Sequence, residues 1–370
     1  MADMFDYLQW RGDIPFSAVP PTPVDALIFS SLVYIDFAGI VPETLDHPVP
    51  LHTAAQVLLK LPKAEDRVRV KADLELLETA ASSLRLRNTR LAFYRSKLIP
   101  EEETQFAAMA FLLEDGNAFL AFRGTDTSLV GWKEDFNMSF QDSVPAQREA
   151  AAYTVSFASR FTGKLYLGGH SKGGNVAVFA SAKAPLGLQN RIQTVYNLDG
   201  PGFTESLMGH PGYLRMVPKI RTYIPESSVI GILLEHEEPY SVIKSRQLSI
   251  LQHEPYSWEI LGGDFVHVQE ISAGSRFADE TITNWIADMS QAERSAFVDA
   301  IYTLLSAGGA TQVSDLLSPK SILAFFRTLN ANEATRRLLT GEMMQLLRAA
   351  GETLIQFRKE QGRKQNLPVL

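Results

Sequence analysis

The chain has 370 residues, of which 45% are hydrophobic and 21% are charged, and its formal net charge is −7. Charges of both signs are interspersed, which argues against a nucleic-acid surface or a polybasic membrane anchor. The absence of cysteine excludes disulfides, thiolate metal sites and cysteine nucleophiles, and it fits a reducing compartment.

The N-terminal sequence does not have the pattern of a signal peptide. MADMFDYLQWRGDIPF carries acidic side chains and an arginine where a signal peptide needs a basic and then an apolar run. No apolar stretch reaches the ~18 residues that a membrane helix requires. We therefore expect a cytoplasmic protein with no integral membrane segment and no nucleic-acid partner, and the sequence leaves its oligomeric state open.

The first third of the chain predicts two packing helices followed by strands. Apolar residues recur at helical spacing over residues 24–37 and again over 74–84. The runs RLAFYRSKLI and TQFAAMAFLLEDGNAFLAFRG have the composition of strands. Asp115-Gly116 lies between two of these runs, where it predicts a hairpin turn.

Helices and strands alternate in the middle of the chain. This alternation is typical of a mostly parallel sheet that is covered by helices on both faces. The predicted elements are a helix over 146–161, a strand over 164–167, a helix over 172–184, and strands over 193–198 and 220–224.

Beyond about residue 279 only helical patterns remain. We therefore divide the chain into a core with an N-terminal helical segment, residues 1–278, and a C-terminal all-helical subdomain, residues 279–370. The helices of this subdomain have apolar stripes that need a surface to cover, so we expect them to pack on the core. Two such stripes are Phe297/Ile301/Leu305 and Leu323/Phe326.

The stretch LYLGGHSKGGNVAVFASA changes from an apolar strand to an Ala/Val-rich helix around one serine. Its centre, Gly169-His170-Ser171-Lys172-Gly173, has the G-x-S-x-G pattern of a nucleophile elbow, where the turn strains the serine backbone and glycines leave room for it. The following helix directs its N-terminal N–H groups to the place where an oxyanion would form. Ser171 is the candidate nucleophile, and the alternative is an ordinary turn.

A second segment, AFLAFRGTDTSLVGWKEDF, precedes the elbow at the end of a predicted strand. It resembles the class 3 lipases, the fungal-type triacylglycerol lipases, in which the residue after F-R-G and the residue after the nucleophile donate backbone N–H groups to the oxyanion. The resemblance implies an oxyanion hole at Thr125 and Lys172. The matching residues are Phe122-Arg123-Gly124-Thr125, then Trp132, Glu134 and Asp135.

Two features of this segment allow other interpretations. Lys172 stands where class 3 lipases usually have leucine, and its ammonium either meets an anionic substrate or extends to solvent. Arg123 and Asp135 could instead form a surface ion pair on a loop without catalytic function.

A closer resemblance is to the Mbeg-like family, a bacterial group of unknown function that has the α/β-hydrolase fold. The similar patterns span roughly residues 7–265. They imply an α/β-hydrolase fold with a mostly parallel central sheet covered by helices, and a serine-hydrolase site, but no substrate. The patterns are YLQWRGDIPF, HSKGGN, NLDGPGF, IPESSVIGILLEHEEPYSVIKS and QHEPYSWEI.

Four histidines follow Ser171, and the chain order of this fold places the base after the acid. YSVIKS and LSILQ predict two strands, and His253 opens the loop after the second, where the fold holds its imidazole. We select His253 as the base, with His236 as the alternative. His210 lies in a Gly/Pro-flanked loop, and His267 alternates as a strand residue.

The acid has two candidates. Class 3 lipases place an Asp after the strand that here reads KIRTYI, but the turn contains Glu226 and no Asp. Some lipases of this fold take the acid from one strand earlier, where Asp199 follows TVYNL. We select Asp199 and keep Glu226 as the alternative, noting that an Asp before a Gly is also an ordinary turn residue.

These residues predict a serine esterase or lipase-like enzyme that needs no cofactor or metal. His253 accepts the Ser171 proton, Asp199 orients the imidazole, and the substrate is a small-molecule acyl ester or a lipid. The segment 203–218 is either an acyl-binding wall or lid, or a packed connection. The alternative function is a non-catalytic α/β-hydrolase-fold protein that binds a partner through its C-terminal helices.

Overall fold

A computed structural model of the chain describes residues 2–365, with side chains described up to residue 355. Its centre is an eight-stranded sheet whose strands lie side by side in chain order. They are β1 (Val49–Pro50), β2 (Arg90–Ile99), β3 (Thr104–Leu112), β4 (Ala118–Phe122), β5 (Leu165–His170), β6 (Ile192–Leu198), β7 (Ile220–Pro225) and β8 (Tyr240–Ile243). Neighbours are antiparallel from β1 to β4 and parallel from β4 to β8. A separate hairpin pairs β9 (Ile260–Leu261) with β10 (Asp264–Phe265).

Helices cover both faces of the sheet. Residues from α1 to α4 pack in the hydrophobic core on one face, and residues from α6, α7 and α10 pack in the core on the other. The helices are α1 (Met4–Arg11), α2 (Pro23–Leu32), α3 (Leu51–Leu58), α4 (Lys71–Ser82), α5 (Leu129–Asn137), α6 (Pro145–Ala158), α7 (Lys172–Lys183), α8 (Leu186–Arg191), α9 (Glu205–Met208), α10 (Pro211–Met216), α11 (Ala273–Ala287), α12 (Gln291–Leu305), α13 (Pro319–Ala331) and α14 (Glu333–Gln365).

The continuous apolar character of the central strands follows from this double cover. In β4, Phe119 and Ala121 belong to one core while Leu120 and Phe122 belong to the other. A strand buried on both faces needs apolar side chains at every position, not at alternate ones. The predicted α/β-hydrolase fold, with its mostly parallel sheet covered by helices, is confirmed.

Turn and cap residues set the ends of several elements. The predicted hairpin between β3 and β4 is confirmed, and Gly116 adopts φ +83° there, a conformation that costs glycine little. Thr22 and Asp25 form a reciprocal capping box that starts α2, with Pro23 as its first residue. Helix α2 ends at Leu32, five residues before the predicted end.

The predicted strand over LSILQ is wrong. Ser249–His253 forms a 3₁₀ helix, and Ser249 has φ +54°, which interrupts an extended backbone. Leu248, Ile250 and Leu251 are exposed by 78%, 58% and 62%, so no neighbouring strand covers them. The apolar composition of this segment predicts a buried strand, but its apolar side chains face solvent.

The structure decides between the two interpretations of the segment 203–218, and it does not test the predicted division into two domains. Phe203, Leu207, Tyr213 and Met216 are buried in the core, so the segment 203–218 is a packed connection. Helix α11 begins at Ala273, which places the predicted domain boundary at residue 279 inside it.

Among the described residues, no helix is both long and apolar enough to span a membrane.

Candidate active site

The sheet brings three loops to one edge. Phe122 pairs with Gly169, His170 with Leu198, and Leu198 with Tyr223, so the carboxyl ends of parallel strands β4 to β7 lie close together. Ligands of open α/β sheets bind at this edge. The loops after β4, β5 and β6 carry the candidate oxyanion, nucleophile and acid residues.

Ser171 occupies a sharp turn between β5 and α7. Its backbone has φ +58° and ψ −135°, a strained conformation for a residue other than glycine. A Cβ atom at Gly169 would overlap the backbone of Gly173, and one at Gly173 would overlap the Phe122 carbonyl oxygen. The turn therefore requires both glycines, as the G-x-S-x-G pattern predicts. Ser171 is partly exposed, whereas the residues on both sides of it are buried.

Asp199 and His253 form a direct hydrogen bond. His253 Nδ1 lies 2.6 Å from Asp199 Oδ2, and because a carboxylate only accepts, Nδ1 carries the proton and Nε2 is left as the basic nitrogen. Asp199 is fully buried, and its other oxygen accepts a 2.6 Å hydrogen bond from Ser228 Oγ. The structure thus brings together the selected base and the selected acid.

His253 lies beside the elbow because His170, the residue before Ser171, holds its backbone. His170 Nε2 donates to the His253 carbonyl oxygen at 2.7 Å, and the two rings are 4.5 Å apart. Burial, followed by the charge of His253, lowers the pKa of His170 well below its usual value. A neutral His170 that donates from Nε2 accepts at Nδ1 from Tyr34 Oη, 3.3 Å away.

The alternative site residues have other partners. His236 Nδ1 lies 3.2 Å from Glu238 Oε1, and its Nε2 lies 2.8 Å from the Gly231 carbonyl oxygen. His210 accepts from a backbone N–H at the start of α10, and His267 lies 3.3 Å from Asp264. Glu226 lies in the turn after β7, where its backbone N–H donates to Ile243.

The loop after β4 contacts the elbow and is held by α5. A Cβ atom at Gly124 would lie 3.1 Å from Ser171 Cβ, so the loop passes directly against the candidate nucleophile. Thr125 Oγ1 donates to the Asp135 carboxylate, with distances of 2.7 and 2.5 Å to its two oxygens. The suggested Arg123–Asp135 pair is wrong, because Arg123 lies 3.3 Å from Asp126.

Asp135 has an unusual environment for a carboxylate. Burial of its carboxylate raises its pKa to about 6, against the opposing effects of Lys172 and the Thr125 hydroxyl, although 37% of the side chain still reaches solvent. Nearby Glu134 raises the pKa further, and His253 lowers it. The Thr125 hydroxyl is therefore held by a carboxyl group whose pKa is raised toward neutral pH.

Both interpretations of the Lys172 side chain are wrong. The side chain is 1% exposed, and its Nζ donates to Glu134 Oε2 at 2.9 Å and to the backbone and side-chain oxygens of Gln105 at 3.0 and 2.6 Å. At the start of α7 the side chain points between β3 and α5 instead of toward solvent. The role of Glu134 has no signal in the sequence, because the two partners are 38 residues apart.

The described residues contain no group of three or more His, Asp or Glu side chains that could hold a metal ion, and the chain has no cysteine. The chemistry available at the site is that of a hydroxyl, an imidazole, a carboxylate and backbone N–H groups. This combination is suited to acyl transfer.

The sequence pattern that defines the Mbeg1-like family matches residues 80–303, more than half of the chain. The chain belongs to the Mbeg1-like family. This match includes Ser171, Asp199 and His253, and it confirms the resemblance derived from the sequence. No match is found among the curated proteins.

Two solved structures are similar to this member of the Mbeg1-like family. The Rhizomucor miehei lipase propeptide complex is 17% identical to this chain, with a TM-score of 0.34. The matched part covers 48% of this chain and 70% of the lipase chain. A mutant form of MDLA from Penicillium cyclopium is 11% identical to this chain, with a TM-score of 0.39. The matched part covers 68% of this chain and 87% of the MDLA chain.

Proposed function

We propose that this protein is a serine hydrolase of the esterase or lipase-like type that cleaves an acyl ester. The observation that carries the proposal is the 2.6 Å hydrogen bond between Asp199 and His253 beside a strained, partly exposed Ser171. A serine with a strained backbone, an imidazole and a buried carboxylate lie at one edge of the sheet. This combination is typical of nucleophilic catalysis.

In the proposed reaction, His253 Nε2 accepts the hydroxyl proton as Ser171 Oγ attacks the ester carbonyl carbon. The backbone N–H groups of Thr125 and Lys172 stabilise the negative charge on the carbonyl oxygen. His253 then gives the proton to the departing alcohol, and an acyl-enzyme remains on Ser171. Water, deprotonated by His253, then attacks the acyl carbon, the bond to Ser171 Oγ breaks and the carboxylic acid leaves. His253 returns the proton to Ser171 Oγ, while Asp199 keeps the imidazole oriented throughout.

The direct test is labelling with a fluorophosphonate probe, together with hydrolysis of p-nitrophenyl esters of increasing chain length. We expect the wild-type protein to label at Ser171 and to hydrolyse at least one ester. Ser171→Ala should abolish both, with thermal stability nearly unchanged, because alanine introduces no new clash at the turn. Ser159→Ala, at an exposed position on the surface, is the matched control and should label normally. Labelling that persists in Ser171→Ala would move the nucleophile to another residue.

The alternative, a non-catalytic protein that binds a partner, is favoured by one observation. Leu323 and Phe326 of α13 and Met344 and Leu347 of α14 are each at least 55% exposed. Apolar side chains exposed in this way are common at interaction surfaces. A wild-type protein that neither labels with the probe nor hydrolyses any ester would support this alternative.

A further inference from the structure

A segment of the C-terminal region pairs with the loop that follows β4. The Leu129 N–H donates to the Thr311 carbonyl oxygen and the Val313 N–H donates to the Thr127 carbonyl oxygen, both at 2.9 Å. Ser128 and Gln312 face each other in this antiparallel bridge. The Thr127 hydroxyl also donates to Gln312 Oε1 at 2.6 Å, across a separation of 185 residues.

The residues that pair with this C-terminal segment, Thr127 and Ser128, lie between Thr125 of the proposed oxyanion loop and helix α5. Thr127 follows Thr125 by two residues, and Ser128 is the buried N-cap of α5, where its Oγ accepts from the Gly131 N–H at 3.2 Å. Helix α5 then carries Asp135, whose carboxylate holds the Thr125 hydroxyl. A shift of this short segment would therefore move both Thr125 and the residue that holds it.

The C-terminal region contacts α5 at a second place. Lys133 Nζ lies 2.7 Å from Glu103 Oε1 of the core and 2.6 Å from Asp299 Oδ1 of α12, and it lies 4.9 Å from the centre of the Tyr302 ring. Apolar side chains of both helices line the same contact, namely Leu129, Trp132, Phe136, Phe297, Ile301 and Leu305. Helix α5 is thus fixed to α12 by charge and by apolar packing.

We propose that residues 311–313 form a strap that positions the oxyanion loop, with Gln312 as a positioning residue. The proposal rests on the hydrolase function proposed above. The loop lies outside the ladder of the central sheet, so its conformation depends on partners elsewhere. Oxyanion stabilisation needs donors that are in place before the charge develops. The strap supplies two backbone hydrogen bonds and one side-chain hydrogen bond to this loop.

Two substitutions weaken the strap with little change elsewhere. Gln312→Ala removes the oxygen that accepts from the Thr127 hydroxyl. Val313→Pro removes the N–H that donates to Thr127, at the first residue of a 3₁₀ helix, a position that suits proline. Gln312→Glu keeps an accepting oxygen and serves as the rescue variant. Gln291→Ala is the matched control, because Gln291 also links α12 to the core, by donating to the Phe140 carbonyl oxygen.

The experiment measures kcat and KM for a p-nitrophenyl ester and the affinity of an alkyl trifluoromethyl ketone, which forms a tetrahedral adduct on the serine. For Gln312→Ala combined with Val313→Pro we expect kcat and inhibitor affinity each to fall about tenfold, with KM changed less than about twofold, because the lost interaction acts mainly on the transition state. Gln312→Glu should stay close to the wild type, and Gln291→Ala should match it.

The outcomes separate the two proposals. If the wild-type protein is reactive and the strap variant keeps its kcat and inhibitor affinity while melting at a lower temperature, the strap is structural only and this inference is overturned. A parallel loss in Gln291→Ala would also overturn it, because the effect would then belong to the C-terminal region in general. A wild-type protein that neither labels nor hydrolyses overturns the hydrolase function and this inference with it.

Discussion

Replacing Lys172 with methionine tests the buried ion pair beneath the elbow. The Lys172 and Glu134 side chains are 1% and 0% exposed, so the substitution leaves a carboxylate in the interior without its cation. Breaking a buried pair by removing one partner costs about 3–5 kcal/mol. Glu134 keeps hydrogen bonds from the Gln105 and Ala146 N–H groups, which compensate part of the loss. We therefore expect the free energy of unfolding to fall by about 3 kcal/mol, the lower end of that range.

Urea unfolding at pH 7 measures this change as a shift of the midpoint at constant slope. The coupling is measured by a double-mutant cycle with Glu134→Gln, in which the double variant should lose about 2 kcal/mol less than the sum of the single losses. Arg348→Met is the surface control. Its partner Glu352 is also exposed, so the shift of the unfolding midpoint for this variant should be too small to resolve.

The reasoning would be refuted by either of two results. A loss below about 1 kcal/mol for Lys172→Met would mean that water reaches the pair, because exposed pairs contribute that little. Additive losses in the cycle would mean that Lys172 and Glu134 do not stabilise each other.

Three further predictions concern the proposed reaction and the C-terminal helices. Asp199→Asn should lower kcat by about 10⁴, because an amide favours the wrong imidazole tautomer, whereas Glu226→Gln should change ester turnover little; the reverse order would make Glu226 the acid. Because burial raises the pKa of Asp135 to about 6, its protonation should weaken the hold on Thr125 and lower kcat as the pH falls through 6, and Asp135→Asn should remove that component of the pH–rate profile. The same raised pKa means that the folded state binds the Asp135 proton more tightly than the unfolded chain does, so acidification from pH 7 to 5 should add stability through Asp135, and this contribution should be missing from thermal melts of Asp135→Asn across the same range. Truncation after Ile271, just before α11, should expose the apolar face of α5 and cause aggregation in size-exclusion chromatography; a monomeric, fully reactive truncated protein would show that the C-terminal helices are a separable module.

The parts of the fold that depend on local rules could be predicted from the sequence. The turn at Ser171 needs glycine at fixed neighbouring positions, so its signature is confined to a few residues. The double cover of the sheet leaves continuous apolar runs such as β4, which can be read directly. The apolar segment LSILQ, which precedes His253, shows where this fails: its composition predicts a strand, but composition alone does not tell whether a partner strand exists to cover it.

The pairings across the chain could not be predicted, because they depend on how distant loops meet in the fold. Asp199 and His253 are 54 residues apart, and the sequence offered a second candidate for each. The sequence predicts that Lys172 reaches a substrate or solvent, whereas its partner Glu134 belongs to another element, 38 residues away. Spacing along the chain carries no information about such contacts.

The contacts that hold the proposed catalytic groups extend beyond residues 80–303, the part that matches the family pattern. On the N-terminal side, Arg69 makes two 2.7 Å hydrogen bonds to Glu254, the residue after His253, and Tyr34 contacts His170. On the C-terminal side, the strap at 311–313 pairs with the loop that carries Thr125. A reactive constellation must be held to within a fraction of an ångström, and loops achieve this only through supporting contacts. The segments on both sides of the matched region therefore contact the same proposed site, one next to the imidazole of His253 and the other at the proposed oxyanion loop.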